Sequence, residues 1–250
     1  MILKHLLFPR RPYLIVTTTT NNFKRCYNTL NDHYAQLRTD PKVAAQYIQA
    51  TPSATHNDYL DDFLLFPEFI TDEEHAIITQ HCEKKLKRSL GRNAPYEPGH
   101  FDGVISGYRE CSASGWMSHD DDHWMGPFIH DRIYKALFPS HFTWLAPHLL
   151  DLAAHGEIRG HVDNIEASGS VVAGLCLKSP AKMVLEHVDD PSCQVAIFLP
   201  PRCFYIQRDT VRYQFKHAIM GPEASVWNGK PFEKTDRISL MFRNTKESKS

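Results

Sequence analysis

A mainly β protein of sandwich or jelly-roll type, with helices gathered toward its N-terminal side, is what the sequence predicts, and three features carry the prediction. From about residue 100 onward short apolar runs are split by Gly, Pro, Asn and Asp at the spacing of a many-stranded β fold. Ahead of that point one long amphipathic stretch carries helix start and stop signals at its two ends. The 250 residues, 42% hydrophobic and 11% aromatic, suffice to bury one substantial core. No run of about 18 apolar residues offers a helical membrane span.

Residues 1–31 contain Lys4, Arg10, Arg11, Lys24 and Arg25 but no acid. With Leu3, Leu6, Leu7 and Phe8 and a Thr/Asn-rich remainder, this has the composition of a mitochondrial targeting peptide, and Arg25-Cys26-Tyr27 suits cleavage after Tyr27. Residues 1–27 are therefore expected to be a presequence. Without them 23 basic side chains face 29 acidic ones, net −6. The intact chain, at net −1, already lacks the basic excess with which nucleic-acid binders neutralise phosphates.

Residues 28–62 read as a helical extension, with Asp40 capping and Pro41 opening a short helix through Tyr47 and Ile48. The main domain is expected over 63–250, beginning with the apolar Phe63-Leu-Leu-Phe66. Thr71-Asp-Glu-Glu74 forms a capping box and predicts a helix over 72–89. Ile77, Ile78, Cys82 and Leu86 make its apolar stripe, and Gly91 lies just past the end. Lys84, Lys85, Lys87 and Arg88 complement the helix dipole and read as a solvated face. A further helix is expected near 127–137. Strands are expected over 103–109, 147–153, 158–163, 170–177, 182–188, 193–199, 203–207, 211–219 and 237–243. The six cysteines show neither C-x-x-C pairs nor zinc-ribbon spacing, so free thiols in a reducing compartment are expected.

Fifteen histidines supply several competing metal sites. His119-Asp120-Asp121-Asp122-His123, His161-Val162-Asp163 and His187-Val188-Asp189 each contain H-x-D, which in a strand directs both side chains to one face. A non-haem iron site needs a further histidine from elsewhere and an open coordination face. His217, in Tyr213-Gln-Phe-Lys-His217, follows His161 by 56 residues but His187 by only 30. The longer interval accommodates the several strands of a jelly roll, which favours His161. His187-Val-Asp189 runs into the turn Asp190-Pro191-Ser192, and His119 to His123 reads as a solvated loop. In Arg237-Ile-Ser-Leu-Met-Phe-Arg243, alternation puts Arg237, Ser239, Met241 and Arg243 on one face. Arginine grips carboxylates through paired, charge-assisted hydrogen bonds, so metal plus dicarboxylate is the chemistry suggested.

The order His161-x-Asp163, His217, Arg237-x5-Arg243 resembles the AlkB-like branch of the Fe(II)/2-oxoglutarate dioxygenases. Gly156 and Ser170-Val-Val-Ala-Gly-Leu-Cys-Leu177 look like the same family, and Tyr205-Ile-Gln-Arg, Arg212-Tyr213 before His217 and Arg237-Ile-Ser are similar to landmarks of its mitochondrial members. The resemblance spans about 63–243 and implies a double-stranded β-helix (jelly-roll) core. It implies Fe(II) held by His161, Asp163 and His217. It also implies 2-oxoglutarate bound by Arg237 through its distal carboxylate and by Tyr205, with Arg243 lining the pocket and Ser239 as a further contact. The implied reaction oxidises a C–H bond and releases succinate and CO2, in the mitochondrial matrix.

Nucleobase-repairing members carry N-x-Y-x-x-G before H-x-D, and the matching positions here are Asp151 and Ala153. A base-holding lid would fall in 90–130, where Tyr96, Phe101, Tyr108 and Trp116 are the available stackers but no basic run accompanies them. A protein side chain or methylated mitochondrial RNA is therefore the expected substrate, and duplex DNA is not. The contrasting expectation is a catalytically silent jelly roll that binds a protein partner and keeps the metal residues as a structural site.

Overall fold

The computed structural model describes residues 34–55, 59–100 and 102–246. The expected presequence 1–27, and Phe101 among the expected stackers, lie outside them. Ten strands form one strongly curled antiparallel sheet in the order β1-β7-β6-β9-β4-β12-β5-β8-β2, with β3 paired to β4. The strands are β1 (Ile48–Ala50), β2 (Phe63–Phe66), β3 (Ile105–Ser112), β4 (His148–His161), β5 (Val171–Lys178), β6 (Ala181–His187), β7 (Gln194–Leu199), β8 (Phe204–Arg208), β9 (Phe215–Ile219) and β12 (Arg237–Arg243). A small separate ribbon, β10 (Val226–Trp227) and β11 (Lys230–Pro231), precedes the last strand.

Curling follows from β4. The expected strands 147–153 and 158–163 are one strand of 14 residues. Its first half pairs with β12 and its end with β9, with a register shift between Ile158 and His161. A bulge also interrupts β3 between Ser106 and Tyr108, where Gly107 takes φ +62°. A Cβ on Gly156 would lie 2.6 Å from the Gly107 carbonyl oxygen, so both glycines permit the close approach at this bend. The strand thereby passes from one wall of the roll to the other.

Two apolar layers result. Leu149, Ala173, Leu175, Phe204, Ile206, Ile238, Leu240 and Phe242 face outward against helical segments. One is the long helix α2 (Asp72–Leu90), with its Thr71/Glu74 capping box formed, which buries Ile78, Cys82 and Leu86. The other is the segment 125–137, which departs from the expected α-helix by passing through a π-helical stretch at Phe128–Tyr134. Phe63, Leu65, Leu152, Val172, Cys176, Tyr205, Phe215 and Met241 fill the inside of the roll.

The N-terminal segment also joins the sheet. After the Asp40-capped helix α1 (Pro41–Tyr47), β1 pairs with β7, so this stretch is not purely helical. A second departure concerns 211–219. Residues Asp209–Gln214 form one helical turn, α3, and the strand starts only at Phe215. Tyr213 is therefore 41% exposed and does not share a strand face with Phe215 and His217. No helix among the described residues is long and apolar enough to cross a membrane.

Candidate metal and co-substrate site

His161 ends β4 directly opposite His217 of β9, and the two rings lie 4.3 Å apart between centroids. Asp163 lies beyond the strand end, so the strand alternation expected for H-x-D does not aim its side chain. Two arginines do so instead. Arg243 Nε donates to Asp163 Oδ2 at 2.7 Å. Arg212, buried on α3, donates to the backbone oxygens of Asp163 at 3.1 Å and Asn164 at 3.4 Å and to Ser168 Oγ at 3.0 Å. Asp163 Oδ1 is thereby left 3.2 Å from His161 Nε2 and 3.7 Å from His217 Nε2. One ligand atom from each of the three residues fits within 4.8 Å of the others.

The electrostatics suit a cation. Burial holds the His217 pKa down to about 4, so its ring is neutral with a lone pair to give. Burial opposes ionisation of Asp163, but His161, Arg243 and His217 outweigh it and keep the carboxylate well below its usual range. His161 is also penalised by burial, yet its bonds to Asp163 and to the Arg159 carbonyl raise its pKa above the usual histidine value. The contact of Nδ1 with the Arg159 oxygen at 2.9 Å leaves Nε2 as the ligand, because a carbonyl can only accept. Two imidazoles and one carboxylate match the donor set of a facial-triad iron site.

Arg243 was expected to line the dicarboxylate pocket, and here it is committed to Asp163. Partners of this kind are worth about 10–100-fold in metal affinity. Arg243→Leu is accordingly expected to weaken iron binding by that factor while the protein stays folded, as an equilibrium iron titration would show.

The interior wall of β12 continues away from the triad. Arg237 pairs with Leu152 and Lys178, and Ser239 with Leu150 and Cys176. Arg237 is 1% exposed, yet among the described residues its side chain hydrogen-bonds only the Cys176 thiol, with Nη2 at 3.1 Å from Sγ. Arg237 Nε and Ser239 Oγ have no hydrogen-bond partner among the described residues. A buried guanidinium without a carboxylate is expensive, and such orphaned donors mark a place for an anion. Tyr205 stands on the same wall of the roll, stacked on Phe63 with ring centroids 6.2 Å apart, its hydroxyl 3.5 Å from Met241 Sδ.

Gly174 makes room for that ring. A Cβ there would lie 2.7 Å from Tyr205 Cε1, Cζ and Oη. Gly174→Ala is expected to displace the ring at a cost of about 1–3 kcal/mol and to raise the KM for 2-oxoglutarate with less effect on kcat. Steady-state kinetics beside a urea denaturation curve would check both.

The competing sequence motifs go elsewhere. His187 is buried against Tyr59 and Phe215, with Asp189 past the strand end. His119 sits in an exposed loop, 3.3 Å from Asp131. Asp151 and Ala153, matched to the Asn and Tyr of base-repairing enzymes, do not reach the pocket. The register turns Leu150 and Leu152 toward Arg237 and Ser239, while Asp151 is buried on the other face with Arg109 Nη2 at 2.5 Å. Tyr108 and Trp116 are core residues, and Tyr96 lies under Arg109, its ring 4.2 Å from the guanidinium carbon. Sequence reasoning gave Arg212 no place in the site. Its spacing of five residues before His217 became meaningful only once α3 proved helical.

No family model matches the chain. The mouse protein named alpha-ketoglutarate-dependent dioxygenase alkB homolog 7, mitochondrial, is 32% identical over 202 residues, covering 80% of this chain and 86% of the relative. The Bos taurus protein of the same name is 31% identical over the same shares. Among solved structures, OsALKBH1 superposes with a TM-score of 0.51 at 17% identity, covering 73% of this chain and 97% of that one. A Pseudomonas putida prolyl-4-hydroxylase gives 0.52 at 11% identity, covering 83% and 100%. These two structures bear on the fold alone, which they share.

Proposed function

The chain belongs to the AlkB-like alpha-ketoglutarate-dependent dioxygenases, and from that premise we propose that it oxidises a C–H bond of a protein or methylated RNA substrate in the mitochondrial matrix, releasing succinate and CO2. Fe(II) is its metal and 2-oxoglutarate its co-substrate. His161, Asp163 and His217 would hold the iron, and Arg237 with Tyr205 and Ser239 would hold the distal carboxylate of 2-oxoglutarate. The bound iron and co-substrate together supply the oxidising power for the C–H bond.

The protein's own task is placement. Arg243 occupies Oδ2 of Asp163 and so would leave Oδ1 for the metal. Arg212 fixes the backbone that carries it. The buried Arg237 selects a dicarboxylate by charge and excludes water from the anchor. Leu150 and Leu152 bring no polar contact to the pocket wall. Lacking the Asn and Tyr of base-repairing enzymes there, and with an acidic body once residues 1–27 are discounted, the chain suits a protein better than duplex DNA.

The observation that carries the reading is the convergence of three ligand atoms within 4.8 Å beside a buried arginine with unpartnered donors. Succinate release should need both Fe(II) and 2-oxoglutarate and vanish in Asp163→Ala. Undiminished release in that variant would remove the triad from the reaction, whereas bound iron with no turnover in the wild type would favour a silent binding module. The substrate itself is sought by mass spectrometry of mitochondrial RNA and protein from cells with and without the active chain. A methyl lost or a hydroxyl gained identifies it.

A further inference from the structure

The pocket contains a thiol that the dioxygenase reaction does not use. Cys176 on β5 stands opposite Ser239 on β12, both 0% exposed, and its Sγ accepts from Arg237 Nη2 at 3.1 Å. Across the sheet on its other side it meets Cys203, whose carbonyl accepts from Cys176 N at 2.9 Å. Arg237 Nε and Ser239 Oγ, both unpartnered, surround the same spot, so the sulfur lies among donors arranged for an anion. Burial pushes the Cys176 thiol up, but the Cys203 hydrogen bond and the Arg237 charge outweigh it and bring its pKa down to about 7. Geometry singles it out: the Cys176 sulfur has a buried guanidinium in contact with it, which favours the thiolate form.

Resting on the assignment of Arg237 to a co-substrate carboxylate, we propose that Cys176 is a covalent modification site for α,β-unsaturated dicarboxylates, which the arginine recruits and the sulfur captures. Because Arg237 Nη2 lies 3.1 Å from Sγ, a four-carbon dicarboxylate with one carboxylate on Arg237 would bring its alkene within reach of the sulfur. The Sγ–C bond forms as the alkene π bond breaks, and its electron pair moves to the carbon next to the other carboxyl group. That carbon takes up the proton released by the thiol. The product is a thioether carrying both carboxylates, and no external oxidant or reductant takes part. The adduct fills the anchor and excludes 2-oxoglutarate, so capture inactivates the enzyme.

The test incubates the iron-loaded full chain with fumarate under anaerobic conditions and maps adducts by peptide mass spectrometry. One fumarate addition on the Cys176 peptide is expected, slowed about tenfold by 2-oxoglutarate at roughly ten times its Kd, and lost in Cys176→Ser. In Arg237→Met the rate should fall to that of the other buried thiols. Dimethyl fumarate, which has no carboxylate, should show no preference for Cys176. Binding of 2-oxoglutarate is read in parallel by thermal shift. An unlabelled Cys176 in protein that still binds 2-oxoglutarate overturns the proposal alone. Equal labelling by dimethyl fumarate does the same. Labelling of Cys176 without protection, in protein that shows no 2-oxoglutarate shift, overturns the co-substrate assignment on which the proposal rests.

Discussion

Arg237→Met is expected to abolish productive 2-oxoglutarate binding while leaving the apoprotein as stable as the wild type or more so. Truncating one partner of a buried charge pair costs about 2–5 kcal/mol of binding, a loss of roughly thirtyfold to several-thousandfold in affinity. The stability effect has the opposite sign for a local reason. The guanidinium is 1% exposed and, among the described residues, hydrogen-bonds one side chain, a thiol, and leaves Nε without a partner. Replacing a poorly compensated buried charge by an apolar side chain is neutral or gains about 1–4 kcal/mol. Thermal unfolding with and without 2-oxoglutarate separates the two effects. A wild-type co-substrate shift that survives in the variant would show that Arg237 is not the anchor.

Arg208→Met should do the reverse and destabilise the fold by about 3–5 kcal/mol. Arg208 is as deeply buried, at 2% exposure, but its guanidinium is saturated. It donates to the carbonyls of Tyr34, Ala35, Leu37 and Asp61, contacts the Asp62 carboxylate, and lies over the Tyr34 ring. Removing it strands those acceptors and unpins the N-terminal segment from the end of β8. Urea denaturation measures the loss. A variant as stable as the wild type would mean that the segment before β1 contributes nothing to the folded core.

These two arginines mark how far the sequence could be read. Alternation along 237–243 foretold which residues share the Arg237 face, because side-chain period is a local property. The interval from His161 to His217 separated the triad from its decoys because chain length bounds how a jelly roll closes. The capping box at Thr71 and Glu74 was legible for the same local reason. What stayed hidden depends on partners far along the chain. Nothing around Arg243 announces that it holds Asp163, 80 residues earlier. Asp151 could be matched to a functional Asn only until Arg109, 42 residues before it, claimed its carboxylate.

The misread strand at 211–219 has a local cause instead. Val211, Tyr213 and Phe215 alternate as a strand would, but Asp209 takes φ +43° and starts a helical turn. That turn buries Arg212 beside the metal ligands and sends Tyr213 outward. The continuity of β4 across 154–157 depends on Gly156, which permits a bend against Gly107 inside one strand, a contact 49 residues apart that no local pattern displays.

Anaerobic titration of Fe(II) into the protein with 2-oxoglutarate present, followed by visible absorption, reads the metal and the co-substrate at one site. One charge-transfer band is expected that saturates at a single iron per chain, is lost in His217→Ala and Asp163→Ala, and fails to develop in Arg237→Met at the same co-substrate concentration. A band that persists unchanged in the two triad variants would contradict that site, since iron and co-substrate would then meet somewhere other than between β4, β9 and β12.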